Sequence, residues 1–136
     1  MYWTTDVNCE LPIKMAASGM SSAIKPETIS AAFIRTCKNR ESSPAMHVMR
    51  DNKELTWTWN KFYDDAMAFA KALQALGVDE RKAINIMGFN SPEWVLAFFG
   101  GILHNNVLTG VYITNGPEAC QYQAAHSEAQ VIVCDT

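Results

Sequence analysis

Apolar positions along this chain recur at helical spacing in some stretches and form short unbroken runs in others, and the alternation of the two outlines the elements. The clearest case starts at Ala83-Ile84-Asn85-Ile86-Met87, an apolar run that predicts a strand, and breaks at Gly88-Phe89-Asn90. A second apolar run then reaches Leu103 from a start at Ser91-Pro92-Glu93-Trp94. That start is a helix N-terminus: Ser91 can accept from the first free N–H groups, Pro92 lacks an N–H where none is needed, and Glu93 sets negative charge at the positive end of the dipole. After His104-Asn105-Asn106 the β-branched run Val107 to Ile113 predicts another strand, parallel to the first across a βαβ unit.

Upstream, residues 1–23 show little periodicity; Leu11-Pro12-Ile13 reads as extended, 17–22 as loop, and the whole as a surface arm. Pro26-Glu27 opens a helix with the stripe Ile29, Ala32, Phe33 and Cys37, ending near Asn39-Arg40. The runs 45–49 and 55–59, joined by polar residues 50–54, predict a hairpin. Asn60 is the expected cap of the longest helix, which aligns Phe62, Ala66, Phe69, Ala70, Leu73 and Leu76 on one face, and Gly77 suits its left-handed close. Downstream, Thr114-Asn115-Gly116 and Pro117-Glu118 repeat the pattern of cap, proline and acid. The helix they start is expected to run to about Ser127, before the strand Gln130 to Cys134. The order from Ala83 is β-α-β-α-β, the first half of a doubly wound α/β domain with a mainly parallel sheet, after an N-terminal helix and hairpin. No linker divides residues 1–136, which read as one domain.

Composition agrees with a packed fold. The 136 residues are 49% hydrophobic and 18% charged, and a net charge of -3 supplies no basic footprint for nucleic acid. Cys9, Cys37, Cys120 and Cys134 show neither C-x-x-C spacing nor scaffold density, so they read as reduced thiols of an intracellular protein. Asp6 and Glu10 interrupt any signal-peptide core. The longest apolar run, Trp94 to Leu103, falls short of the ~20 residues that span a bilayer. The expectation is a chain without a transmembrane segment, soluble or peripheral to a membrane, in the cytoplasm or at an organelle surface such as that of the mitochondrion or endoplasmic reticulum.

Motifs for chemistry are sparse. The phosphate-loop, dinucleotide, nucleophile-elbow and zinc-protease patterns are missing from the sequence. Gly100-Gly101 lies within a helix and reads as close packing. His47, His104 and His126 are too scattered for metal ligands, and Trp57, Trp59 and Trp94 read as core aromatics. Asp64 and Asp65, as neighbours on a helix, point apart and are expected to complement its N-terminus. Loops at the carboxyl ends of parallel strands are where such sheets bind ligands, which makes Asn90, Thr114 and Asn115 the rim candidates. The residues themselves indicate no catalytic, metal or cofactor set.

Several stretches together resemble the N-terminal part of the AMP-forming acyl-activating ligases, nearest the bubblegum-type long-chain fatty acid CoA ligases. They are Tyr2-Trp3-Thr4-Thr5, Thr58-Trp59-Asn60-Lys61-Phe62, Gly88-Phe89-Asn90-Ser91-Pro92-Glu93-Trp94, Thr109-Gly110-Val111-Tyr112 and Pro117-Glu118-Ala119-Cys120-Gln121-Tyr122. The resemblance implies an AMP-binding fold and, for the complete enzyme, ATP-dependent formation of an acyl adenylate followed by thioester formation with coenzyme A, assisted by Mg. It also implies that the phosphate loop, the adenine and acidic motifs and the catalytic lysine lie beyond Thr136, so that this chain alone holds no cofactor and is not catalytically competent.

The sequence departs from the family pattern at His104-Asn105-Asn106, where small residues are usual, at Gly116, where serine or threonine is usual, and at Lys61. Two readings follow. One is an N-terminal fragment of a long-chain fatty acid CoA ligase; the other is a non-catalytic structural or accessory subunit that retains half of the fold. Either needs a partner, the remainder of a ligase or another protein, covering the sheet edge at 131–134 and the apolar helix 92–103.

Overall fold

A computed structural model describes residues 5, 6, 8–10 and 17–135. Part of the expected N-terminal arm, including Leu11-Pro12-Ile13 and the Tyr2 to Thr4 part of the resemblance, lies outside these. After a short 3-10 turn at Met20–Ala23, the order is α1 (Ile29–Asn39), β1 (Pro44–Arg50), β2 (Lys53–Thr58), α2 (Trp59–Ala75), β3 (Ala83–Met87), α3 (Pro92–Leu103), β4 (Val107–Val111), α4 (Pro117–His126) and β5 (Ala129–Cys134). β1 and β2 form an antiparallel hairpin. β3 pairs in parallel with β4 on one side and β5 on the other, giving the order β4-β3-β5.

Alternation along β3 divides the core. Ile84 and Ile86 point to one face, where Leu73 of α2, Val78 of the loop after it and Ala97 of α3 close over them. Asn85 points to the other face, and its amide donates to the hydroxyls of Thr109 on β4 and Ser127 after α4. α4 therefore covers the face opposite α2 and α3, as right-handed crossovers require when the chain passes from β3 to β4 and then back beyond β3 to β5. The Asn85 side-chain oxygen Oδ1 has no hydrogen-bond partner among the described residues.

A helix apolar on nearly all sides calls for cover, and α3 has part of it: Pro92, Ala97, Gly100 and Gly101 are buried, Glu93 is exposed and the rest are half-buried. Phe99 stacks on Phe33 of α1 at 4.4 Å between ring centroids and meets Phe62 of α2 edge-on at 5.3 Å. Gly100 and Gly101 permit this closeness. A Cβ on Gly100 would lie 2.7 Å from the Ala66 carbonyl oxygen, and one on Gly101 2.5 Å from a Leu108 methyl. Helices α1 and α2 of the chain itself fold back across α3 and leave its large apolar side chains half-buried.

The edge at β5 differs. Val131 and Val133 pack against the core, while Ile132 faces the other way and is 55% exposed. The strand is thus covered on one face where its unbroken apolar run suggested two, because α4 is short and none of its side chains is fully buried.

Several element ends also move. Thr28 caps α1 by accepting from the Ala31 N–H at 3.1 Å, so the helix begins at Ile29 rather than at Pro26. Thr58, not Asn60, caps α2, accepting from Lys61 at 3.2 Å; Asn60 lies in the first turn and donates to Asp64. In both cases a threonine hydroxyl directly before the first helical residue accepts from the N–H three positions on. Ile29 and Leu76, at helix ends beyond their neighbours' reach, are exposed despite their apolar register. β4 stops at Val111, leaving Tyr112 and Ile113 in the following loop.

Candidate functional site

Because β3, β4 and β5 are parallel and side by side, the segments after Met87, Val111 and Cys134 rise at one end of the sheet. The Asp135 N–H donates to Met87 O at 3.0 Å and extends the pairing by one step. Ser91 caps α3 as expected, accepting from the Trp94 N–H at 3.2 Å, which anchors the turn 88–90 directly above the strand end. Three shallow clefts converge on Gly88. One, about 340 Å³, lies between Asn90, Trp94, Gly110 and Tyr112; another, about 250 Å³, lies between Ser91, Trp94, Val133 and Asp135; a third, also about 250 Å³, lies between Phe89, Ile113 and Cys134.

Glycine matters here through space. A Cβ on Gly88 would come within 3.4 Å of the Asp135 Cβ, at the limit of ordinary contact. Gly110 leaves one edge of the Trp94 indole open, with Cζ2 4.0 Å from where its Cβ would stand. Trp94 is held by stacking on Phe98 at 5.6 Å and an interplanar angle of 13°. Phe89 and Tyr112 are exposed at 69% and 76%, so the rim presents aromatic edges to its surroundings.

Charge at this end is paired. Arg50 donates to both carboxylate oxygens of Glu93, at 2.9 and 3.0 Å. The hydrogen bond from Arg50, followed by one from the Glu93 backbone, holds the Glu93 carboxyl below the usual range, and the same pairing raises the Arg50 guanidinium.

Of the rim candidates, Asn90 lines the cleft beside Trp94. Thr114 is exposed and stands apart from that lining. The Asn115 side chain donates to Gln123 Oε1 at 3.0 Å and is engaged in holding α4 to its loop. Gly88, from the same expected turn 88–90, joins Asn90 there, and Trp94, Gly110, Val111, Tyr112 and Ile113 complete the cleft without having been expected at the rim. A glycine inside a β-branched run was the available signal, since it marks close approach of another group.

The other chemistry-bearing residues lie elsewhere. His47 pairs with Glu54 at 3.2 Å on the hairpin. The Trp57 indole donates to Asp65 at 2.9 Å, and Lys61 meets the same carboxylate at 2.9 Å. Asp64 and Asp65 thus serve side-chain ties in the second turn of α2, which corrects their assignment to the helix N-terminus; the first turn holds no acid. No group of three or more His, Cys, Asp or Glu that could hold a metal occurs among the described residues.

The departure at 104–106 closes a corner with polar bonds. Asn105 takes the left-handed conformation, φ 67°, and accepts from Arg81 N–H at 2.7 Å through its carbonyl. Asn106 donates from its amide to the carbonyls of Asp79 and Lys82 at 2.8 and 3.1 Å, and its Oδ1 lies 2.6 Å from His104 Nδ1. Bulky residues are accommodated because their amides supply the donors that the 79–82 loop lacks.

The architecture is the first half of a doubly wound α/β domain, with the parallel order β4-β3-β5. A family model described as AMP-binding enzyme matches residues 33–136, and the chain belongs to that family. It is 31% identical over 98% of its length to a long-chain-fatty-acid–CoA ligase ACSBG2 of Gallus gallus, covering 17% of that protein. It is 34% identical over 82% of its length to ACSBG1 of Rattus norvegicus, covering 15%. The chain therefore spans less than a fifth of either relative. Its fold also matches that of a fatty acid AMP ligase from Legionella pneumophila, with a TM-score of 0.69 at 15% identity over 77% of this chain and 19% of that one.

Proposed function

We propose that this chain is the N-terminal part of the AMP-binding domain of a long-chain fatty acid CoA ligase, residues 1–136 belonging to one subdomain. The observation that carries this reading is the parallel β3-β4-β5 unit, whose rim lies within the segment matched by the family model and by long-chain fatty acid CoA ligases. In the complete enzyme ATP, Mg and coenzyme A would serve acyl adenylation and thioester formation. The rim residues do not fit a triphosphate: the clefts are lined by glycine, aliphatic and aromatic groups with the acids Glu93 and Asp135, and the Arg50 bound to Glu93 is committed to that carboxylate. The part played by this chain is to supply one end of the sheet and a preformed wall, with Asn90 as its polar contact and Thr114 and Asn115 on the adjoining loop.

The test is calorimetry of the 136-residue chain with Mg-ATP, together with a thioester assay using a long-chain fatty acid and coenzyme A. Neither saturable binding nor product is expected from the chain alone, since positioned charge supplies much of the rate in such transfers. Micromolar ATP binding would refute the reading of this rim.

A second reading, a non-catalytic accessory module, is favoured by the hydrogen-bonded corner at 104–106, which stabilises the unit without the family's usual small residues. It differs in expected partner. Mixing the chain with a ligase fragment lacking this region restores activity on the first reading and leaves it absent on the second. For either, the proposed setting is inside the cell; no helix among the described residues is long and apolar enough to cross a membrane.

A further inference from the structure

We propose that Asn115-Gly116 is a site of spontaneous backbone modification, at which Asn115 deamidates through a succinimide and the Gln123 side chain acts as the brake. Of the asparagines in the sequence, Asn115 alone precedes glycine. The reaction requires the backbone nitrogen of the following residue to reach the asparagine side-chain carbonyl carbon, and a residue without Cβ places least in its way. Gly116 is exposed, has nothing within 4 Å of where a Cβ would stand, and caps α4 in extended conformation without a side-chain bond.

The bonds formed and broken balance with water as the one co-reactant. The deprotonated Gly116 nitrogen attacks Asn115 Cγ, closing a five-membered imide and expelling the side-chain nitrogen as ammonia. Water then opens the ring at either carbonyl, leaving aspartate or, with the main chain rerouted through the side chain, isoaspartate. Two contacts resist this. The Asn115 side-chain amide nitrogen donates to Gln123 Oε1 at 3.0 Å, so the side chain must leave α4 before the ring can close, and the Asn115 backbone carbonyl accepts from Cys120 Sγ at 3.7 Å, which holds the backbone there. The product puts a carboxylate on the loop next to the rim and beside the first turn of α4, which has no side-chain cap bond and where negative charge is favoured.

The experiment incubates the purified chain in mildly alkaline buffer and follows each asparagine by peptide mass mapping with an isoaspartate-specific methylation assay. Aspartate and isoaspartate are expected at position 115 ahead of every other asparagine. Gly116→Ala, which the φ of -71° and the open space tolerate, is expected to lose the isoaspartyl product. Gln123→Ala is expected to form it faster. Modification no faster at Asn115 than at Asn90 or Asn52, or a rate indifferent to Gly116→Ala, overturns the site; a rate indifferent to Gln123→Ala overturns the brake.

Discussion

Arg50, the last residue of β1, grips Glu93 in the first turn of α3 with two parallel N–H···O bonds of 2.9 and 3.0 Å. The contact ties the hairpin to the helix that carries the rim, across 43 positions of sequence. Both side chains are about half exposed, so screening limits what the pair contributes even with bidentate geometry. The pH dependence has a definite sign. Because the folded-state Glu93 carboxyl is depressed, its contribution is present above the unfolded carboxylate value and is lost as pH falls through the folded one. Urea unfolding of wild type and Glu93→Gln across acidic pH should show a gap at neutral pH that closes toward strong acid and narrows in high salt. A gap that widens on acidification contradicts this.

Gly100 and Gly101 separate two kinds of close approach. Alanine at either gains about 1 kcal/mol of helix propensity. At Gly100 the new methyl meets the Ala66 carbonyl oxygen at 2.7 Å, backbone that cannot yield, so Gly100→Ala should cost a net ~1–2 kcal/mol. At Gly101 it meets the Leu108 side chain, which can rotate, so Gly101→Ala should stay within about 1 kcal/mol of wild type. Denaturant midpoints at constant m-value give both, and equal losses would show that helix spacing rather than the carbonyl sets the limit.

Asn105 bears a positive φ at the end of α3. Its amide also donates to Glu80 at 3.0 Å, an exposed bond of small weight. Conformation should dominate: Asn105→Ala is expected to be less stable than Asn105→Gly by roughly 1 kcal/mol, since a Cβ disfavours the left-handed region by about that amount. Thermal unfolding of the two variants side by side decides it.

Ile132 and Val107, on opposite edges of the sheet, are 55% and 49% exposed. On the proposal that a larger partner covers β5, the isolated chain should self-associate as concentration rises, and Ile132→Lys should reduce that association by placing charge on an edge strand. Sedimentation velocity at several concentrations measures both. A wild-type chain that stays monomeric throughout rules out the need for cover.

The sequence by itself determined the elements from β3 to β5 and their parallel pairing, because a βαβ order with short connections leaves one handed solution. It also determined the Ser91 cap and the packing role of Gly100-Gly101, since these depend on neighbours in the chain or on helix periodicity. Tertiary structure decided what depends on competition between distant groups. Asn115 reads as a rim residue until Gln123, on the next helix, takes its amide. Asp65 reads as a helix-end acid until the Trp57 indole reaches it from β2. His104-Asn105-Asn106 reads as crowding until the 79–82 loop offers its carbonyls. Trp94 and Gly110 become two walls of one cleft through the parallel register of β3 and β4, which the spacing of neither residue reveals. Hydrogen bonds and contacts of this kind act over a few ångströms, and the fold alone brings their partners within reach.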